Sequence, residues 1–197
     1  MKVALCMFGQ PRFIQNNFTH QSHLDHIINK YDTDVYCHSW ISTIPNKFEY
    51  SDWVKNQYKT HQDKFAADII LTKYIPKAFL FEEPMEFSLS GVYRDLAVNS
   101  GRCPAGAYYW SDNNENNLMS QLYSVSKAIR MSRNEKYDWI ILSRYDNYIE
   151  NIPQLDELDS DNLYLSNQYG HFVDVLMFGG QKQINTLDCF DIIPELC

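Results

Sequence analysis

The amino-acid sequence predicts an α/β fold in which a sheet is flanked by helices. Apolar runs of strand length alternate along the chain with segments of helical periodicity, and this alternation is typical of α/β proteins. The run WIIL at 139–142 is apolar at every position, as in strands that helices cover on both faces. The 197 residues are 45% hydrophobic, which is enough chain for one globular domain with a sizeable core.

Strand-like runs and helical segments account for most of the chain. The runs with strand character are KVALCMF at 2–8, DVYCHSW at 34–40, KAFLFEEP at 77–84, WIIL at 139–142, NLYLS at 162–166 and DVLMFGG at 174–180. The segments with helical character run from after Arg12 to about Lys30, from 64 to 75, from Leu118 through Ile129 and from 181 to 193. An imperfect apolar stripe in the first of them consists of Ile14, Phe18, Leu24 and Ile28. Residues 84–117 are rich in Gly, Asn, Ser and aromatic residues, and this composition predicts a long loop or lid.

The charge balance limits what the protein binds. A formal net charge of -8 argues against nucleic acid and anionic membranes as partners, because both attract a surplus of Lys and Arg. No run approaches the ~20 apolar residues of a membrane span. The five cysteines are odd in number and lack metal-ligand spacing, so we expect a cytoplasmic protein with reduced thiols, in which Cys6 and Cys37 are buried among apolar residues.

Polar and charged side chains cluster where the predicted strands end. Arg144 and Asp146 follow WIIL, and Gly9, Gln10 and Arg12 follow the first strand. Open α/β sheets bind ligands at the carboxyl ends of their strands, where an Arg can neutralise phosphate and a carboxylate can hold a divalent ion. The pattern favours a nucleoside diphosphate as the ligand. The alternative is that Arg144 and Asp146 only pair with each other or with neighbouring residues at the surface.

Five motifs occur in an order and spacing that resemble a known family. They are CMFGQPR at 6–12, DVYCHSW at 34–40, QLYSVSKAI at 121–129, DWIILSRYD at 138–146 and DVLMFGG at 174–180. Together they are similar to nucleotide-sugar-dependent glycosyltransferases of the GT-A fold, within them to a group of viral and bacterial polysaccharide glycosyltransferases. The resemblance covers nearly the whole chain.

The resemblance implies both a fold and an activity. The fold would be a single GT-A-like (Rossmann-like) domain over residues 1–197 with a central mixed sheet of about six strands. The activity would be transfer of a sugar from a UDP-sugar donor to a hydroxyl of a glycan acceptor, with Mn²⁺ or Mg²⁺ on the diphosphate. If the protein is viral, it would act in the cytoplasm of the host cell. Further domains of the same, longer chain are also expected.

The resemblance also implies roles for residues after the first and fourth strands. Gly9, Gln10 and Arg12 would border the nucleotide, and Asp146 would take the place of the final carboxylate of the family's Asp-x-Asp motif and hold the metal. Arg144 stands where that motif has its first Asp. A cation thus replaces one carboxylate of the metal motif, and Arg144 would itself offset part of the diphosphate charge.

The remaining strand ends supply further candidates. His38 and Trp40, at the end of the second strand, would line the uracil or sugar site, although Trp40 is equally expected in the core. His171 is a candidate second metal ligand beside Asp146. Asp174 is the candidate catalytic base, because an inverting transferase needs a carboxylate that takes the acceptor proton; in a retaining enzyme it would orient the sugar or cap backbone amides.

Two other patterns are less specific. His20, His23 and His26 are predicted to form a solvated helix face, because the outer two point about 120° apart on a helix. In a transferase the loop or lid at 84–117 would lie on the acceptor side. Its aromatic residues 108–110 are a candidate platform for an acceptor sugar, with plain packing as the alternative.

Two other function classes are alternatives to the transferase. One is a sugar nucleotidyltransferase, which the single Gly of GQPR disfavours, since such enzymes usually carry a Gly-rich phosphate loop. The other is a non-catalytic sugar- or nucleotide-binding module, because spacing in a sequence does not fix geometry in space.

Overall fold

The structure is a computed structural model that describes residues 1–42, 64–87, 112–168 and 171–191. The described chain is an α/β protein with a six-stranded mixed sheet flanked by helices. The predicted class and the predicted mixed sheet of six strands are therefore confirmed.

The strands follow the predicted order along the chain. They are β1 (Lys2–Phe8), β2 (Asp32–Trp40), β3 (Ala78–Glu82), β4 (Trp139–Arg144), β5 (Leu163–Gln168) and β6 (His171–Gly179). In space their order is β3-β2-β1-β4-β6-β5. β1 is parallel to β2 and β4, and β2 to β3, whereas β6 is antiparallel to β4 and β5. The chain moves outward from β1 to β3 and then returns to the other side of β1, so the strand order reverses between β1 and β4.

The helices flank this sheet. They are α1 (Asn17–His23), α2 (Ala66–Tyr74), α3 (Asp112–Ser132) and α4 (Gln181–Asn185). α1 continues into a wider π-helical turn, Leu24–Ile28, and a short 3₁₀ turn spans Leu155–Glu157. Within the described residues, no helix is both long enough and apolar enough to span a membrane.

Two helix boundaries in the second half of the chain differ from the prediction. α3 begins at Asp112, so residues 112–117 are helical although their composition predicts a loop, and residues 88–111 of that loop lie outside the described residues. α4 ends at Asn185 rather than near 193, because Leu187 is already in the short turn that closes on Ile184.

The core lies on both faces of the sheet. Alternate residues of β1 belong to different apolar clusters, with Val3, Leu5 and Met7 on one face and their neighbours on the other. The first cluster includes residues of α2, and the second includes residues of α3. Burial on both faces explains why β1 after Lys2 and β4 up to Leu142 are apolar at every position instead of alternating.

The thiols of Cys6 and Cys37 lie inside this core, as predicted. Both side chains have no accessible surface and both thiols are free. Burial raises the pKa of each thiol to about 12, because an apolar surrounding disfavours the thiolate. These two cysteines therefore pack as small apolar residues rather than act as nucleophiles.

The predicted faces of the first helix are wrong in two places. Phe18 is 67% exposed although the apolar stripe assigns it to the core, whereas His23 is completely buried although the His triplet predicts a solvated face. His23 is buried because it packs against Tyr74 of α2. Phe18 is exposed because α1 starts late: Phe13 has a left-handed backbone (φ 54) and Asn16 caps the helix. Ile14 therefore does not share a helix face with Phe18, and the buried side is set by residues after Phe18.

Candidate functional site

A cleft lies at the carboxyl ends of β1, β2 and β4, beside the point where the strand order reverses. Its volume is about 290 Å³. β1 and the loop after it contribute Gly9, Gln10 and Arg12, β2 contributes Trp40, and β4 ends in Arg144. The opposite wall is polar and comes from α3, through Asn117, Ser120 and Gln121. Ligands of open α/β sheets bind at this kind of crevice.

Arg12, Arg144 and Asp146 form a charge cluster at the cleft. The guanidinium of Arg144 donates two hydrogen bonds to Asp146, from Nε to Oδ1 at 2.8 Å and from Nη2 to Oδ2 at 2.5 Å. Nη1 of Arg12 lies 3.9 Å from Oδ2 of the same carboxylate. The side chains of Arg12, Arg144 and Asp146 are 28%, 26% and 13% exposed. The cluster is thus largely shielded from water yet open on one side.

The backbone after β4 explains why Arg144 and Asp146 meet. Tyr145, between them, has no accessible surface and belongs to the core. Tyr145 and Asp146 are the two residues of a turn that follows β4, and this turn brings the Asp146 carboxylate back beside the Arg144 guanidinium. Asn147 then closes the turn, with its N–H donating to the Arg144 carbonyl at 3.3 Å and its side-chain amide donating to Ser143 Oγ at 3.3 Å.

The loop after β1 directs Arg12 toward the same cluster. Gly9 has a left-handed backbone with φ 91, a conformation that glycine adopts without steric cost. The N–H of Arg12 donates to the Gln10 carbonyl at 2.8 Å, and Nε of Arg12 donates to Gln10 Oε1 at 3.0 Å. The loop is therefore tightly folded on itself, and two of the residues predicted beside the nucleotide brace each other.

His38 and Trp40 lie at different depths. His38 has no accessible surface, and its ring nitrogens are 2.6 Å from Ser124 Oγ and 2.9 Å from Glu82 Oε2. It stands behind the wall of the cleft instead of lining it. Trp40 lines the cleft although it is only 2% exposed. Its Nε1–H has no hydrogen-bond partner within the described part of the chain.

The candidates on β6 are known only by their backbone positions. His171 and Asp174 belong to β6, and their side chains lie outside what the structure describes. Leu176 pairs with Ser143 near the end of β4, and the β5–β6 register shifts after Leu165. The start of β6 therefore passes the carboxyl end of β4. The aromatic residues 108–110 also lie outside the described residues.

The described side chains do not form a metal site by themselves. Within the described ranges, no three His, Cys, Asp or Glu side chains converge. Both carboxylate oxygens of Asp146 accept hydrogen bonds from Arg144. A divalent ion at Asp146 would therefore have to replace a guanidinium, with water and phosphate oxygens as its other ligands.

The polar wall on α3 and the residues behind it are absent from the sequence-based candidates. Asn117, Ser120, Gln121 and Ser124 recur at intervals of three, one and three residues, which places them on one face of a helix. A second, polar stripe beside the apolar stripe of this helix was the available signal. Glu82 has no such signal, because its contact with His38 spans 44 residues.

No protein-family model matches the chain, and no curated protein matches it. Function is therefore inferred from the site and from the motifs.

Proposed function

We propose that this protein is a glycosyltransferase that transfers a sugar from a UDP-sugar donor to a hydroxyl of a glycan acceptor. The observation that carries the proposal is the pair of guanidiniums, Arg12 and Arg144, held by one carboxylate at a cleft beside the reversal of strand order. The choice of UDP over other nucleotides comes from the motif resemblance alone.

The charge of the cluster suits a diphosphate. Two guanidiniums and one carboxylate carry a net charge of +1 in a chain whose formal net charge is -8. A cation surplus at a crevice of an acidic protein is a local anion site, because short-range hydrogen bonds from Arg to phosphate outweigh a diffuse negative field that salt screens.

Arg144 keeps donors for a ligand while it is paired. A guanidinium has five N–H donors, and the hydrogen bonds to Asp146 use one on Nε and one on Nη2. The carboxylate therefore fixes the orientation of the guanidinium before the ligand arrives. Fixing the side chain in advance lowers the conformational entropy that binding costs.

The same cluster would assist the chemistry. Cleavage of the bond between the anomeric carbon and the diphosphate leaves negative charge on the departing phosphate oxygens, and fixed cations stabilise that charge as it develops. Asp174 remains the proposed base for an inverting reaction, in which a carboxylate accepts the acceptor proton and accelerates the step by about 10² to 10⁴.

Mn²⁺ or Mg²⁺ is retained in the proposal as an ion that enters with the diphosphate. Asp146 would be its described protein ligand, and His171 is a second candidate. When bound, the ion would neutralise phosphate charge as a Lewis acid. No catalytic step proposed for this chain depends on it.

The direct test is donor hydrolysis and UDP affinity in the wild type and two arginine variants. Arg144→Gln removes a cleft cation and should weaken UDP binding about ten- to hundredfold, the effect of losing charge-assisted hydrogen bonds. Arg133→Gln is the matched control: Arg133 pairs with Asp188 at the end of α3 and does not line the cleft, so it should retain wild-type affinity.

The reaction products distinguish the alternatives. A transferase releases UDP from a UDP-sugar, slowly to water and faster to an acceptor glycan. A nucleotidyltransferase would instead convert UDP-sugar and pyrophosphate into UTP and a sugar phosphate. A binding module would bind UDP or glycan without turnover. If neither UDP nor any nucleotide sugar binds by calorimetry, the proposal fails and the cluster is structural.

A further inference from the structure

A chain of hydrogen bonds behind the cleft connects four elements of the fold. The Gly9 N–H, at the end of β1, donates to Ser124 Oγ of α3 at 2.7 Å. Ser124 Oγ lies 2.6 Å from Nδ1 of His38 on β2, and Nε2 of His38 lies 2.9 Å from Oε2 of Glu82 on β3. The hydroxyl of Tyr123 donates to the other Glu82 oxygen at 3.2 Å. The chain thus extends from an accessible carboxylate to a backbone amide of the cleft.

The partners determine where the protons lie. Ser124 Oγ already accepts from Gly9, so its single proton is best used toward Nδ1 of His38. Nδ1 is then the acceptor, and Nε2–H donates to the Glu82 carboxylate. Every donor and acceptor in this arrangement has a partner. Burial lowers the pKa of His38 below its usual value, which agrees with a neutral ring.

The residue types match a Ser–His–carboxylate triad, but their burial excludes nucleophilic catalysis. Ser124 and His38 have no accessible surface. The serine oxygen also accepts a backbone N–H, so it cannot approach a substrate without losing that bond. A nucleophile must reach the reacting carbon. These residues must therefore act through the group at the end of the hydrogen-bond chain, which is the Gly9 N–H.

Gly9 is fixed on both sides of its α-carbon. Its carbonyl accepts from Ser39 Oγ at 3.1 Å and from the Trp40 N–H at 3.3 Å, while its N–H is held by Ser124. Its backbone is left-handed, and a Cβ built there would meet no atom within 4 Å. Neither polar group of Gly9 is therefore left for a ligand, and the open space beside it belongs to the cleft.

We infer that Glu82, His38 and Ser124 are positioning residues that fix the Gly9 peptide and thereby set the direction in which the loop presents Gln10 and Arg12 to the cleft. They act on the ligand only through that loop. The effect on nucleotide affinity rests on the proposed function, whereas the effect on Gly9 does not.

The first test compares three serine variants of the full chain by amide hydrogen exchange at Gly9. Ser124→Ala should accelerate exchange of the Gly9 amide about three- to tenfold, the range for loss of one buried hydrogen bond. Ser124→Thr retains the oxygen and should restore protection. Ser132→Ala is the matched control, since Ser132 is also fully buried on α3 but donates to the Ile129 carbonyl. It should leave the Gly9 amide unchanged.

A second pair of variants tests Glu82, at the other end of the hydrogen-bond chain. Glu82→Gln keeps an oxygen acceptor for Nε2–H and should leave Gly9 protection within about twofold of the wild type. Glu82→Ala removes the acceptor, leaves the ring free to reorient, and should lower protection. The ¹⁵N chemical shifts of His38 report the tautomer directly and should show a protonated Nε2 and an unprotonated Nδ1.

Calorimetry with UDP as the probe separates the two proposals. Ser124→Ala should weaken UDP binding about three- to tenfold, while Ser132→Ala should not, even when both variants lose the same thermal stability. Faster Gly9 exchange without any UDP binding by the wild type would reject the proposed function and retain the positioning chain. Equal Gly9 exchange in Ser124→Ala and Ser132→Ala would overturn the inference.

Discussion

Acidification should destabilise this protein through His23. The imidazole has no accessible surface, Nδ1 lies 2.9 Å from the hydroxyl of Tyr74, and Nε2 lies 3.5 Å from Ser143 Oγ. Burial, and to a smaller extent the neighbouring His20, lowers the pKa of His23 to about 4. The folded protein therefore holds this ring neutral well below neutral pH, because a buried imidazolium would lose its hydration.

The sign and size follow from the two pKa values. An unfolded chain binds a proton at His23 below its ordinary pKa of about 6.5, whereas the folded chain does so only below about 4. The contribution to stability is complete above pH 6.5 and is lost as the pH falls toward 4. The gap of about 2.5 pH units corresponds to about 3 kcal/mol of unfolding free energy.

Urea denaturation at a series of pH values from 7 to 4 measures this loss. His23→Gln cannot take up the proton, so it should lose about 3 kcal/mol less than the wild type over the same interval, although it is less stable at pH 7. His26→Gln is the control for replacing a histidine of the same helical segment that is only partly buried. Equal losses in the wild type and His23→Gln, or a His23 titration near 6.5 by NMR, would refute the reasoning.

Three further predictions concern the site and its supports. Gly9→Ala should lower stability by about 1–2 kcal/mol by urea denaturation, because φ 91 disfavours any residue with a Cβ; an unchanged midpoint would contradict the left-handed backbone. Asp188→Asn should lower the melting temperature, since this side chain, 2% exposed, pairs with Arg130 and Arg133; the loss should be about 1–3 kcal/mol because both arginines reach water. Calorimetry in EDTA should give a UDP affinity within about tenfold of that with Mn²⁺ if guanidiniums carry the diphosphate; loss of binding in EDTA would return Asp146 to a metal.

The parts of the site near strand ends could be predicted from the sequence because they depend on local rules. An apolar run such as WIIL identifies a strand covered on both faces, and the carboxyl end of that strand is a ligand position in an α/β sheet. Arg144 and Asp146 therefore fall at the cleft without any knowledge of long-range contacts. Gly9 and Arg12 follow from the same rule applied to the first strand.

The supports of the site could not be predicted, because they depend on contacts between distant segments. His38 meets Ser124 across 86 residues and Glu82 across 44, and a period of two or 3.6 residues says nothing about such pairs. The same limit applies to His23. Spacing along a helix gives the angle between three histidines, but only the packed partner Tyr74 decides which of them faces the core.

Arg144 and a divalent ion would compete for Asp146, because Arg144 already binds its carboxylate. The same two carboxylate oxygens serve either a guanidinium or a divalent ion, and they cannot serve both fully. A guanidinium released from Asp146 would keep its charge and could bind the diphosphate alone, so a metal would add cationic charge without removing any. A metal-free donor site uses Asp146 to orient Arg144, whereas a metal-loaded site uses it as a ligand. Asp146→Asn separates these uses, because an amide oxygen can still accept from Arg144 but binds a hard cation more weakly than a carboxylate. If Arg144 binds the diphosphate, Asp146→Asn should bind UDP in EDTA as tightly as the wild type does. If Asp146 is a metal ligand, the variant should bind UDP more weakly than the wild type only when Mn²⁺ is present.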